Sequence, residues 1–472
     1  MRIIRLMLVM ALMLQSALSW GQHNVPVAVS EMLSKDHVNV GDVSVWVQAL
    51  DAEQPLVALN VDTVRHPASV AKLFTTAAGL IHFGAEHRFG TRFFVDELPD
   101  ANGVLQGNLY IAGGGDPYLV QERLRNTLSA LMHKGVRHIK GDIVLDDGLF
   151  VLSAEERDAG SFDGAPWSPY NAVPHPLMVD FRTINLTATP SKSGLNLSIK
   201  PHMASWTLKN NIQLQKGKCK GLAVTARLER SEQGFVNLVL SGTMQASCGS
   251  QTVALVAGEA VEQFYYHFRE QWLSLGGTFQ GSGRVGRVPS TAKLLHVGES
   301  VPVAEQIAMM NQMSNNVMTR QLMLNLGASY FRQTGTLALG REAVRQVLSG
   351  HGVAISGLYL DNGAGLSRQT QTSAREVASL LRVMYFSPHA EAFLSSLAVA
   401  GRSGTLKKRF VGEPLAGEVW GKTGTVREVR AFAGYVYARS GRAYLVVVLG
   451  QGKTAVNSRT FQDRLMRWVF EQ

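Results

Sequence analysis

The chain has 472 residues, a formal charge of +10 and 46% hydrophobic residues. That composition excludes a largely disordered chain, which needs low hydrophobicity and high net charge, and the length accommodates about three domains at the usual ~150 residues each. A basic balance favours anionic surfaces. There is, however, no dense Lys/Arg run and no interleaving of basic residues with aromatics, so nucleic acid is not an expected partner.

Residues 1–19 have the form of an export signal: Arg2 and Arg5, an apolar run at 6–14, and Ala17-Leu18-Ser19 as a small-Xaa-small cleavage site. A permanent span needs about 20 apolar residues, so the expectation is an exported, periplasmic product with at most peripheral membrane association, a retained anchor being the alternative. In an oxidising compartment Cys219 and Cys248 are expected to pair, two buried free thiols being the other reading.

In chain order, apolar runs at 42–50 and 55–61 read as two opening strands. Pro67 cannot sit inside a helix, and the Ala, Leu and Lys after it are good helix formers, so a helix is expected from Ala68 or Ser69. Residues 104–111 read as one strand, Gly113-Gly114-Gly115-Asp116-Pro117 as a turn, 120–134 as a helix and 141–146 as a strand. Residues 159–176, rich in Gly, Pro and Ser, form a long irregular segment, and 181–248 a small all-β unit. Helical periodicity returns at 303–313, 317–326, 343–349 and 374–385; strands at 418–426, 431–438 and 444–450 and a helix at 461–470 close the chain. Two β-rich ends around a helical block imply one α/β domain made by both ends of the chain, with the middle inserted into it.

Three short motifs carry chemistry. In Ser69-Val70-Ala71-Lys72 the three-residue spacing brings the lysine beneath the serine on one helix face. A serine hydroxyl needs a base within hydrogen-bond reach, and a lysine serves if burial and nearby cations lower its pKa. Ser314-Asn315-Asn316 places a hydroxyl and an amide in a turn between two helices, and Lys422-Thr423-Gly424-Thr425 places a cation, a hydroxyl and a close-approach glycine on a strand. Each alone has a plain structural reading: an N-cap with a solvated lysine, an inter-helix turn, a strand. Gly421-Lys422-Thr423 is not a phosphate loop, because Ala416 stands where that motif needs glycine, and Gly281-Ser282-Gly283-Arg284-Val285-Gly286 meets Val288-Pro289 rather than a helix.

In this order the trio resembles the penicillin-binding serine peptidases. The 245 positions between Ser69 and Ser314 point to D-alanyl-D-alanine carboxypeptidase/endopeptidases of the low-molecular-mass class with a large insertion. Asp361-Asn362-Gly363-Ala364-Gly365-Leu366-Ser367-Arg368 and Ala400-Gly401-Arg402-Ser403-Gly404-Thr405-Leu406 are similar to recurrent segments of that class.

The resemblance implies a β-lactamase/transpeptidase-like α/β fold, an antiparallel sheet plus a helical block with mostly β inserted domains. It divides the chain into a signal peptide at 1–19, a peptidase domain at 22–90 and 287–472, an inserted α/β domain at 91–180 and 255–286, and an inner β domain at 181–254. It implies peptidoglycan stem peptides as substrate, β-lactams as covalent inhibitors, and no metal or organic cofactor. The implied roles are Ser69 as nucleophile and Lys72 as base, with Ser314 relaying the proton. Asn316 orients lysine and substrate. Lys422 and Thr423 hold a carboxylate, with Arg368 either assisting or making a structural salt bridge; Gly424 lets the substrate backbone approach, and the backbone N–H groups of Ser69 and Thr425 form the oxyanion hole. Relatives that read diaminopimelate place an acidic residue just after a Pro-Trp; here Pro166-Trp167 is followed by Ser168-Pro169-Tyr170-Asn171, leaving Asp163 and Asp180 as the nearest carboxylates. The alternatives are a β-lactamase of the same fold and a non-catalytic wall-binding scaffold.

Overall fold

The computed structural model describes residues 25–204, 206–230 and 236–472; the export signal expected at 1–19 lies outside them. Both chain ends meet in one six-stranded antiparallel sheet. Its spatial order is Ala398–Val399, Val419–Val426, Val429–Tyr437, Ala443–Gln451, Val43–Ala49 and Val57–Leu59. Every residue of Val43–Ala49 is buried, because both faces of the sheet are covered. One face packs on helices Val27–Lys35 and Ser458–Phe470, the latter through Phe461, Leu465 and Val469 at helical spacing. The other packs on a helical block.

The centre of that block is Lys72–Phe83, whose residues from Lys72 through Leu80 are all buried. Helices Val303–Gln312, Asn316–Phe331, Leu337–Gly350 and Ala374–Tyr385 surround it. Gly79 permits a close approach of Asn316–Phe331: a Cβ there would lie 2.9 Å from Leu322 Cδ2.

The middle of the chain builds a five-stranded sheet in the order Gly283–Val285, Ile143–Asp146, Leu109–Ala112, Gly90–Val95 and Lys293–Glu299, packed with helices Gln121–His133 and Ala260–Ser274 around Phe264, Phe268 and Trp272. Two details differ from the sequence reading. Residues 104–111 are two strands in different sheets: Val104–Leu105 pairs with His138–Ile139, and Leu109–Ala112 with Ile143–Asp146. The chain bends at Gly107, where a Cβ would meet Asp96 Oδ2 at 2.4 Å, and that same oxygen accepts from Asn108 N–H at 3.0 Å. Lys293–Glu299, which the sequence reading assigns to the peptidase part, pairs antiparallel with Gly90–Val95 and completes the insertion's sheet.

Residues 184–255 form two three-stranded sheets sharing a core of Ile184, Leu186, Leu238, Leu240 and Met244. Cys219 and Cys248 are joined there as a disulfide. A cross-link of this span stabilises mainly by restricting the unfolded chain, typically by 2–4 kcal/mol. Replacing both cysteines by Ser should therefore lower stability by about 2–4 kcal/mol within the inner sheets alone. Hydrogen exchange checks this: faster exchange in 184–255 with the six-stranded sheet unchanged is expected, and uniform loss of protection contradicts it.

Candidate active site

The serine sits on a strained turn. After Pro67 the chain makes a short 3-10 turn, Ala68–Ala71, that runs into the helix Lys72–Phe83. Ala68 has φ +47°, a left-handed conformation costly for a residue with a Cβ. Two groups hold it. His66 Nδ1 accepts from Ala68 N–H at 2.9 Å, which leaves Nε2–H to donate to Ser367 O. Burial lowers the His66 pKa, which favours this neutral tautomer. Gly365, at φ +74°, lies so close that a Cβ would come 1.9 Å from Ala68 O. The segment 363–368 thus braces the serine turn from outside, which no local pattern around Ser69 reveals.

Lys72 is fully buried. Its Nζ lies 3.1 Å from Ser69 Oγ, 2.6 Å from Asn316 Oδ1 and 2.6 Å from the Ala364 carbonyl. Nζ can donate to all three; a neutral amine would spend its two N–H groups on Asn316 and Ala364 and keep its lone pair for the serine hydroxyl. Desolvation first, and the positive charge of Lys422 second, push its pKa well below the ordinary lysine value. No carboxylate is among its hydrogen-bond partners to restore it.

Ser314, at φ +57°, sits in the turn between helices Val303–Gln312 and Asn316–Phe331. Lys422 is buried on the strand Val419–Val426 and donates to Ser314 Oγ at 2.9 Å and to Thr423 O at 3.0 Å; burial brings its pKa down to about 7. Thr423 Oγ1 and Thr405 Oγ1 are 2.9 Å apart, so Thr405, unassigned from sequence, joins the constellation. Gly424 brings its strand against the serine turn: a Cβ there would lie 2.6 Å from Pro67 O and 3.1 Å from Ser69 N. Thr425 follows, exposed, on the same edge. The structure therefore brings together Ser69, Lys72, Ser314, Asn316, Lys422, Thr423 and Gly424 from three separate elements. Arg368 is exposed and outside this network; its guanidinium stacks over the Phe162 ring at 5.0 Å.

The irregular segment forms a neighbouring wall. Asn316 Nδ2 donates to Tyr170 O at 3.0 Å, and one helical turn on, Arg320 donates to Ala172 O at 2.9 Å and Glu156 O at 3.3 Å. Tyr170 O fixes which way the Asn316 amide faces and so keeps its oxygen on Lys72. Of the two carboxylates near the Pro166-Trp167 stretch, Asp163 stays beside it, accepting from Tyr170 Oη and Asn171 Nδ2, each at 2.8 Å. Asp180 instead accepts from Gln121 N–H at 3.0 Å and lies 3.8 Å from His267, within the insertion.

A serine beside a buried lysine, a second serine–lysine pair and a strand edge match the site of a serine hydrolase of the penicillin-binding type. The chain belongs to the D-Ala-D-Ala carboxypeptidase 3 (S13) family, whose match spans residues 26–472. It is 31% identical over 396 residues to the D-alanyl-D-alanine carboxypeptidase of Actinomadura sp. (strain R39), covering 81% of this chain and 72% of that one. It is 22% identical over 453 residues to D-alanyl-D-alanine carboxypeptidase DacB of Haemophilus influenzae, covering 93% and 92%. The crystal structure of penicillin binding protein 4 from H. influenzae superposes with a TM-score of 0.78 at 20% identity, covering 94% of this chain and 99% of that one; a structure of the same protein with a β-lactam gives 0.75. The family, the fold class and the serine-type D-Ala-D-Ala peptidase activity expected from the motifs are borne out.

Two outcomes follow for the base. Lys72→Arg should lower acylation by about 10²–10⁴-fold, since guanidinium does not deprotonate near neutral pH. Lys422→Met removes a cation that disfavours the Lys72 ammonium, so the Lys72 pKa rises and the acid limb of the acylation profile moves to higher pH. Stopped-flow acylation by a reporter β-lactam from pH 5 to 10 reads both; an unmoved limb contradicts the electrostatic account.

Proposed function

We propose that this protein cleaves D-alanyl peptide bonds of peptidoglycan stem peptides and cross-links, through an acyl-enzyme on Ser69, in the periplasm. The observation that carries this reading is the fully buried Lys72 amine, 3.1 Å from Ser69 Oγ and held by two neutral acceptors. Ser69 Oγ attacks the carbonyl of the penultimate D-alanine as its proton passes to Lys72 Nζ. Backbone N–H groups of Ser69 and Thr425 stabilise the oxyanion. The proton reaches the leaving amine through Ser314 Oγ, which Lys422 positions. Asn316 has one N–H spent on Tyr170 O and a second free to hold the substrate amide.

Lys422, Thr423 and Thr405 receive the terminal carboxylate, or in endopeptidase action the carboxylate at the cross-link. An arriving carboxylate raises the Lys422 pKa from about 7 and fixes its charge. Arg368, stacked on Phe162, stands at the outer end of the site as a second cation for a longer substrate. Water then releases the acyl group. The division into peptidase, inserted α/β and inner β domains is part of this reading, with Lys293–Glu299 moved to the inserted domain because of its pairing. Among the described residues no helix is long and apolar enough to cross a membrane.

Benzylpenicillin should add one stable covalent mass, on Ser69, read by intact-protein and peptide mass spectrometry. An unmodified protein or an adduct elsewhere contradicts the assignment, and an adduct lost within seconds establishes the β-lactamase alternative.

The side-chain end of the substrate should be read weakly. Asp163, the carboxylate nearest the Ser168-Pro169-Tyr170-Asn171 stretch, is already engaged by Tyr170, Asn171 and Ala165 N–H. The kcat/KM values for D-alanyl-D-alanine peptides with free and acetyl-capped diaminopimelyl side chains should then agree within a few-fold. A preference of about a hundredfold, ~2.7 kcal/mol, means that a free carboxylate reaches the ammonium.

A further inference from the structure

A cavity lies away from the serine, and none of the residues assigned above to the chemistry lines it. It encloses about 740 Å³ between the irregular segment, the inserted α/β unit and the inner β sheets. That volume is typical of small-molecule and peptide sites. Its wall is apolar along Phe150, Leu152, Trp167 and Val256.

Arg182 lines the same cavity and is 93% buried. It donates to Gln263 Oε1 and Gly258 O, both at 3.2 Å and both neutral, and its Nε–H has no partner. Among the described residues it makes no ion pair; Glu259 attracts it only at longer range. Burial lowers its pKa to about 10, so it stays charged at neutral pH. A buried unpaired cation is costly, and an arriving carboxylate that hydrogen-bonds to it recovers that cost. Arg157, exposed, also lines it and makes no ion pair among the described residues, whereas Arg227 and Arg287 are already neutralised by Glu229 and by Asp146 and Asp147. Asp147, Asp158 and Glu259 also line the cavity; they disfavour a phosphate chain and suit a peptide whose carboxylates are accompanied by ammonium groups, one carboxylate reaching Arg182.

We propose that this cavity is a second binding site, for a peptide that presents one carboxylate to Arg182 and apolar surface to Trp167. The inference rests on the proposed substrate class for its choice of peptide, a stem peptide not bound at Ser69. The irregular segment connects the two sites. Trp167 lines the cavity, while Tyr170, three residues on, holds Asn316 through its carbonyl.

The test uses the whole protein with Ser69 first acylated by benzylpenicillin, so that the catalytic site is filled. Acylation itself is the separate check on the proposed function. Calorimetric titration with the stem tetrapeptide L-Ala-γ-D-Glu-diaminopimelyl-D-Ala should show one site. Arg182→Met should weaken binding at least tenfold with the acylation rate of the free enzyme within about twofold. The exposed variant Arg157→Glu, which leaves the core untouched, should weaken binding several-fold, and a peptide with its carboxylates amidated should lose at least tenfold. An acyl-enzyme that does not bind the tetrapeptide overturns the proposal, as does binding indifferent to Arg157→Glu and to amidation.

Discussion

The site depends on one buried lysine. Lys72 is fully buried, has no carboxylate among its hydrogen-bond partners in the described residues and feels the charge of Lys422, so its charged form is penalised twice. Asn316 Oδ1 and the Ala364 carbonyl then satisfy a neutral amine's two N–H groups and leave its lone pair on Ser69. A carboxylate in place of either acceptor would stabilise the ammonium and remove the base. Keeping the acceptors neutral is thus a requirement on segments far apart in the chain.

That requirement explains the architecture around it. The Ser69 turn is pressed between Gly365 on one side and Gly424 on the other, positions at which a Cβ would strike its backbone. His66 ties the turn to Ser367, and Tyr170 O holds the Asn316 amide in the orientation Lys72 needs. The last contact comes from the inserted middle of the chain. Residues 156–172 are therefore part of the surroundings of Lys72 and Asn316, and Arg320 reinforces the link by donating to both Glu156 O and Ala172 O.

Much of this was legible in the sequence where the physics is local. The i, i+3 relation of Ser69 and Lys72, the turn at Ser314 and the strand at Lys422 each follow from short-range pattern, and their order identified the chemistry. Contacts made by backbone carbonyls were not legible: Ala364 and Tyr170 act through atoms that every residue possesses. Arg368 was left open by its sequence between assisting the site and a structural salt bridge; its guanidinium lies over the Phe162 ring. The pairing of Lys293–Glu299 with Gly90–Val95, across some 200 residues, likewise leaves no mark on local periodicity.

The central claim is that Lys72 is a neutral amine at working pH. Nuclear magnetic resonance of the enzyme labelled with [ε-¹³C]lysine, the Lys72 signal being the one missing in Lys72→Arg, measures its titration directly. The account predicts a midpoint well below the ordinary lysine value of about 10.4, with a rise when Lys422 is replaced by methionine. A Lys72 signal that titrates at the ordinary value would contradict it.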